Sequence, residues 1–453
     1  MSGTRVDAKA LLDERPVGAY RLWILLLCFL SCTVDGYDVQ VIGVALPGIR
    51  EGLNLQPAAL GLILTGGQIG VMVGALFLGP VSDRIGRKTV LISSACIFGL
   101  FSLLTAWATT VTEIAALRLL AGLGLGGIVP AAMAYSAEYA PQRLKATVTT
   151  LMWMALPVGG SIVGFSAVWL VPSFGWQSLF VVAGILPLVL VVALIGSMPE
   201  SLAYLGSRGN NQAAMHRIAV RIDPALRSDS ELFLSEKKLP GVPLIQLFQD
   251  GRAAGTILVW LIFFLSFFLM IFMVSWVPTF IRMTSGSTTA VGTSLGMWNI
   301  GSLIATAMVG QLIDRFGYYR VLIPAFAIIA GVTWLLGALV TAPVTVVVLC
   351  VATVGFFVGG SNSGLMALAS TSYPVAIRST GVGAAYALGG RTGALIGPLL
   401  AAFLLQFGWS PASICYVMGT PMILGVLVLF LLKRQKGFGT TAAPTAPLKP
   451  ATA

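Results

Sequence analysis

Two carboxylates, Asp35 and Asp38, stand three residues apart in the apolar run from Leu22 to Leu46, a stretch long enough to cross a bilayer. A charge at the centre of a spanning helix costs roughly 2.5 to 3.5 kcal/mol on insertion scales, so such a group faces a cavity, meets a counter-charge or carries a proton. The i, i+3 spacing sets both acids on one helix face. Gly36 between them lets a neighbour come close to the backbone. Two arginines, Arg118 and Arg391, also fall inside apolar runs. At 1.5 Å per residue Arg391 lies about 16 Å deep and Asp35 about 20 Å deep in a core about 30 Å thick. A guanidinium can hold a carboxylate by two parallel hydrogen bonds, which lysine does not reproduce. Arg391 is therefore expected to anchor the carboxylate of a ligand, or else to pair with Asp35 or Asp38. The two acids are expected to carry protons, with Arg118 neutralising one of them in one state and releasing it in another. His216, the single histidine, lies in a polar segment and cannot serve.

The elements that must position these groups follow from composition. A chain that is 57% hydrophobic and 9% charged is solvated mainly by lipid. Apolar stretches near 22–46, 58–80, 89–109, 112–137, 146–171 and 177–198, then 254–281, 291–313, 320–340, 343–370, 378–405 and 409–432, read as twelve helices. The fold class is an all-α polytopic membrane protein of two six-helix bundles. Residues 1–21 form an N-terminal segment, 22–198 the first bundle, 199–253 a linker with short surface helices, 254–432 the second bundle and 433–453 a disordered tail. The first span is expected to act as an uncleaved signal anchor.

A formal charge of +11 suggests nucleic acid only until the basic residues are assigned to sides. Of the 27, all but four fall on the side of the N-terminus; Arg50 and Arg282 lie opposite, and Arg118 and Arg391 within spans. The basicity is a topology signal that places both termini in the cytoplasm. No nucleic-acid partner is expected. The partners are the lipid bilayer and small solutes, and the chain is expected to be a monomer. Cys28, Cys32, Cys96, Cys350 and Cys415 lie in spans without metal or disulfide spacing, so they read as packing residues, and neither metal nor cofactor is expected. Trp107, Trp169, Trp176 and Trp409 fall at outer helix ends, as an interfacial aromatic belt requires.

An internal repeat links the halves. Gly79-Pro-Val-Ser-Asp83-Arg84-Ile-Gly86-Arg87-Lys88 matches Gly310-Gln-Leu-Ile-Asp314-Arg315-Phe-Gly317-Tyr-Tyr-Arg320 at an offset of 231 residues. A second echo sets Tyr139-Ala-Pro141-Gln-Arg143 against Tyr373-Pro374-Val-Ala-Ile-Arg378. Duplication of this kind builds many secondary transporters, with the binding site between the halves near the midplane.

The Gly-x-x-x-Asp-Arg-x-Gly-Arg-Lys loop resembles the signature between helices two and three of the major facilitator superfamily. Within it, Asp35-Gly36-Tyr37-Asp38 is similar to the helix-one motif of the aromatic acid:proton symporters, which import benzoate-type carboxylates; Glu138-Tyr139-Ala-Pro141 and Arg391 are similar too. The resemblance implies a rocker-switch transporter in a bacterial-type inner membrane, importing a small aromatic carboxylate with protons. Arg118-Leu-Leu-Ala-Gly122-Leu-Gly124-Leu-Gly126-Gly127 resembles a superfamily signature tied to proton coupling.

Roles can also be argued physically. Asp83 and Arg84 cap a tight turn where a carboxylate can face a helix N-terminus in the other half. With Gly79, Gly86, Arg87, Arg143, Asp314, Arg315 and Arg378 they are expected to latch one conformation, and Glu138 to pair with Arg84 or Arg87. Tyr37, Trp153, Trp298 and Tyr386 are placed to stack on an aryl ring, while Asn299, Ser361 or Asn362 could read ring hydroxyls. Ordinary helix packing is the competing role for each. Other readings are a transporter of a different organic anion, a drug:proton antiporter, or a membrane receptor or enzyme. The antiporter signature Gly-Pro-x-x-Gly-Gly is missing from Leu156-Pro157-Val-Gly159-Gly160, and the chain carries no nucleotide loop, metal cluster or Ser/His arrangement.

Overall fold

The computed structural model describes residues 5–207, 212–224, 226, 231–233, 244–249, 251–373 and 377–435. Among the described residues, twelve helices are long and apolar enough to cross a membrane. The first six are α1 (Ala19–Gly52), α2 (Pro57–Ile85), α3 (Arg87–Thr105), α4 (Val111–Tyr139), α5 (Lys145–Phe174) and α6 (Gln177–Ser197). The second six begin with α7 (Ala253–Ser285), α8 (Thr288–Phe316), α9 (Tyr318–Ala338) and α10 (Val344–Ser372). Next, α11 (378–406) runs as Arg378–Ala384, a π-helical turn Ala385–Gly390 and Arg391–Gln406, and α12 is Pro411–Arg434. Helices satisfy their own backbone groups, which a lipid solvent demands. Their alternation brings the N-terminal segment, the linker and the end of α12 to one end of the molecule, called here the terminal end; the other is the distal end.

The repeat is a repeated turn. Gly86 joins α2 to α3 at φ 102° and Gly317 joins α8 to α9 at φ 83°, a backbone that residues with a Cβ rarely adopt. Both glycines follow a helix ending in Asp-Arg-x, at the same 231-residue offset.

Apolar packing is divided unevenly. One core fills the second bundle and continues across the distal half of the first, from Val41, Ile63 and Val163 to Phe272, Leu295 and Ala402. The other occupies the terminal half of the first bundle, around Cys28, Phe98, Ile128 and Tyr139, and extends into the N-terminal segment at Leu11 and the linker at Met215 and Leu232. The bundles are thus joined at the distal end. Gly43 lies under the Val274 carbonyl, Gly61 under Ala402 and Gly164 against the backbone of Gly296. Two polar contacts cross the same boundary. The Gln40 and Asn299 amides exchange hydrogen bonds of 2.9 and 2.7 Å, and Glu51 pairs with Arg282 at 2.9 Å.

Two sequence expectations are revised here, and two contacts at the terminal end go beyond the sequence reading. Trp107, Trp169 and Trp409 are exposed at helix ends, but Trp176 is buried against Gly48 and Phe180 and belongs to the core. Arg21, counted as a topology charge, is buried, and its Nε and Nη2 donate to the last carbonyl of α4, Tyr139 O, at 3.0 and 2.7 Å. The N-terminal segment is not separate from the linker. Strand Arg5–Asp7 pairs in parallel with Glu231–Phe233, and Arg15 meets Asp223 at 2.7 Å beside the linker helix Gln212–Ile222. The expected tail, 433–453, starts too early, because Lys433 and Arg434 complete α12; its remainder from residue 436 lies outside the described residues, as do the surroundings of Gly79 and Asp83.

Candidate functional site

Close helix contacts set the directions of the charged side chains. On α11, Gly389, Gly393 and Gly397 recur every four residues and rest on the α7 carbonyls of Trp260, Phe264 and Phe268. Arg391 is two residues from the nearest of these glycines, so it projects from a different face, toward the gap between the bundles. The π turn just before it, a form common at functional sites, carries Tyr386 to the same gap. On α1, Gly36 admits the Leu156 carbonyl of α5, and Gly159 of α5 in turn admits the backbone of Thr33 to Tyr37. The α1–α5 seam therefore fixes the flanking acids.

Arg391 and Asp35 line one inter-bundle cavity of about 110 Å³. Its aromatic walls are Trp153, Trp298, Phe267 and Tyr386. The Tyr386 ring meets Trp153 edge-on at 5.6 Å and Phe267 at 5.4 Å. Arg391 Nη2 donates to Tyr386 Oη at 3.0 Å, and its guanidinium carbon sits 5.1 Å from that ring. Arg391 Nε is buried without a protein partner. A polar wall of Ser302, Thr306, Asn362 and Ser363 completes the cavity. Asn362 Oδ1 accepts from Ser266 at 2.7 Å.

Asp38 faces elsewhere. Its Oδ1 accepts from Arg118 Nη1 at 2.8 Å and from Ser102 Oγ at 3.2 Å, while Arg118 Nη2 donates to Ser102 Oγ at 2.5 Å. The Arg118 guanidinium lies 5.1 Å from the Phe180 ring centre. Both members of the pair are buried. The expectation of one shared face for the two acids is therefore corrected. Three residues advance a helix by somewhat less than one turn, and the offset suffices to place Asp35 with Arg391 and Asp38 with Arg118.

Three further expectations fail on geometry. Tyr37 is 1% exposed, packs in the first bundle and donates to Leu179 O at 3.4 Å, so it does not line the cavity. Asn299 is committed to Gln40 in the distal seal. Ser361 opens onto a different space, among α8, α9 and α10. Conversely, Phe267, Met270, Ser302, Thr306 and Ser363 line the cavity without any sequence signal that separated them from ordinary helix packing.

On the first bundle the terminal-end cluster is partly assembled. Glu138 pairs with Arg87 and accepts from Ser201 Oγ at 2.5 Å. Glu200, which sequence reading passed over, accepts from the Lys88 and Ser201 amides at 3.1 and 2.9 Å and so caps the start of α3. Arg84 and Arg143 are exposed, as are Asp314 and Arg315 of the second copy. Arg378 donates to Tyr373 O at 3.4 Å within its own bundle.

Twelve spans in two repeated bundles around a central cavity define a transporter fold. The pattern of the Major Facilitator Superfamily matches residues 28–390 and 284–452, and the chain belongs to that superfamily; it is a membrane transporter and not an enzyme. It is similar to the 4-hydroxybenzoate transporter PcaK of Pseudomonas aeruginosa, 34% identical with 94% of this chain and 96% of the relative covered. It is also similar to a gallate transporter of Pseudomonas putida, 33% identical over 98% of each. The benzoate transport protein of Acinetobacter baylyi is 27% identical, covering 95% and 93%. Among solved structures, a D-xylose-proton symporter superposes with a TM-score of 0.71 over 92% of this chain and 98% of the other at 19% identity, a likeness of fold.

Proposed function

We propose that this protein imports a single-ring aromatic carboxylate with protons by alternating access across a bacterial cytoplasmic membrane, the terminal end facing the cytoplasm. The observation that carries the reading is the cavity in which Arg391 and three aromatic side chains, Trp153, Trp298 and Tyr386, converge between the bundles. Its volume, about 110 Å³, is of the order of the ~150 Å³ cavity that accommodates one benzene ring. Arg391 Nε and the remaining guanidinium donors would take the carboxylate. The ring would lie among the aromatic faces, and Ser302, Thr306 and Asn362 would meet its hydroxyls. Relatives named for 4-hydroxybenzoate, gallate and benzoate support the substrate class, and the one-sided distribution of basic residues supports the orientation.

Proton coupling is assigned to the acids. A cavity holding a bare anion beside Asp35 would carry like charges across an apolar barrier, and one proton on Asp35 removes the repulsion. Asp38 would exchange its Arg118 partner for a proton as the bundles rock. The motif glycines of the first bundle, with Arg84, Arg87 and Glu138, would stabilise the state closed at the terminal end when their counterparts near Asp314, Arg315 and Arg378 approach. The test is uptake of labelled 4-hydroxybenzoate, gallate and benzoate into proteoliposomes under an imposed proton gradient. Accumulation that collapses with a protonophore is expected; uptake that never exceeds equilibration for any of the acids would defeat the symport reading.

A further inference from the structure

A second, smaller cavity of about 30 Å³ adjoins the Asp38–Arg118 pair, on the distal side of the Asp35 cavity. Its walls come from both bundles. Asp38, Arg118 and Gln68 supply the polar side from the first, and Ile271, Ser275 and Pro398 close it from the second. A space of this size admits one or two waters, since about 10–15 Å³ holds one. Arg118 is 4% exposed and its Nε has no protein partner, and a buried donor of this kind ordinarily finds water. Two residues, Val39 of α1 and Ile271 of α7, line this chamber and the Asp35 cavity alike, so an apolar pair stands between them.

The second-bundle walls matter because they belong to the distal seal. Just beyond the chamber, Gly43 meets Val274 and Gly61 meets Ala402. Parting the bundles there would move Ser275 and Pro398, the walls nearer the distal end, away and open the chamber to the distal side, while Ile271 lies one turn deeper on α7.

We propose that this chamber is a water-filled proton-loading site for Asp38, entered from the distal side, and that Val39 and Ile271 form the partition that keeps its proton from passing into the ligand cavity unless the ligand is bound. The inference rests on the proton-coupled reading above and assigns the two acids to separate compartments. Gln68 holds the water against Asp38 and Arg118. An apolar pair is a poor proton conductor because it offers no donor or acceptor, and a hydroxyl in its place would continue the water chain.

The experiment measures proton entry into proteoliposomes with an internal pH dye, without substrate. Ile271→Ser should raise the substrate-free proton flux about tenfold over wild type, the change that ~1.4 kcal/mol of barrier produces, while Ile271→Val should not. Val39→Ser provides the same test from the other side of the partition if Ile271→Ser fails to elute as a monodisperse protein. Adding Gln68→Leu to the leaking variant, which fills the chamber with an apolar side chain, should return the flux to the wild-type level. A leak absent from both serine variants, or one that persists with Gln68→Leu, overturns the proposal. Wild-type protein that never accumulates an aromatic acid under a proton gradient would instead remove the symport reading, and that outcome is read from uptake rather than from the leak.

Discussion

Arg118 Nη1 lies 2.8 Å from Asp38 Oδ1 with both side chains almost wholly buried, whereas Asp35, three residues back on α1, shares its cavity with Arg391. The two acids of one short motif therefore answer to two different arginines. Helix α4 can bring Arg118 so close because Gly122 and Gly126 pack on the α2 backbone at Gly67 and Val71, and Gly124 on α3 at Ser94.

A buried pair of this kind makes a stability prediction. Removing one partner leaves the other charged and unpaired, at a cost of about 3–5 kcal/mol, while removing both is far milder. Arg118→Leu should lower the thermal midpoint in detergent markedly, and Arg118→Leu with Asp38→Asn should recover most of the loss. Equal midpoints for the single and double variants would contradict the pairing.

Arg391 should be intolerant of lysine. The Tyr386 hydroxyl takes one of its N–H groups, and the remaining donors are proposed to hold the ligand carboxylate. Lysine lacks the planar fork, and losing a charge-assisted hydrogen bond costs about 1.5–3 kcal/mol. Arg391→Lys should raise the KM for uptake roughly ten- to hundredfold. An unchanged KM would place the carboxylate elsewhere.

Much of this arrangement was legible from residue types. Twelve apolar stretches, the duplicated Gly-x-x-x-Asp-Arg-x-Gly loop and four charged residues within spans follow from hydropathy and the cost of burying charge, both of which act locally along the chain. Facing was harder to read. Tyr37 and Trp153 are both aromatic residues in apolar helices, and only the Gly36–Leu156 and Gly159–Thr33 contacts decide that one packs inward and the other meets the cavity. The same holds for Asn299, whose amide is committed to Gln40 from a helix 259 residues away, and for strand Arg5–Asp7, whose partner lies in the linker. Such long-range pairings leave no periodic trace in a single sequence.

The Gln40–Asn299 exchange should bias the conformational equilibrium. Asn299→Leu leaves the Gln40 amide unpaired in a buried seam, a penalty of about 1–3 kcal/mol borne only by the distally closed state. The population should move toward the distally open state, since a state-specific penalty shifts the balance by its full amount. Spin labels on Asn54→Cys and Thr289→Cys, at the distal ends of the two bundles, should report longer distances in the Asn299→Leu background. An unaltered distance distribution would mean that the amide pair does not hold the seal.

Glycine positions should respond to alanine with opposite signs. At Gly36 an added methyl would enter the Leu156 backbone, and at Gly159 that of Thr33 to Tyr37, whereas at Gly331, inside α9, it meets nothing within 4 Å. Overpacking a well-packed seam typically costs 1–3 kcal/mol, about the scale expected here. A helical glycine with free space instead gains about 0.4–1 kcal/mol from alanine through the unfolded chain. Gly36→Ala and Gly159→Ala should therefore lower the thermal midpoint and reduce transport, because the α1–α5 seam also aims Asp35 at its cavity. Gly331→Ala should hold or raise the midpoint with uptake intact. A neutral Gly36→Ala would show that α1 can retreat from α5 without losing the direction of Asp35, and the role of that seam in positioning the acid would fall.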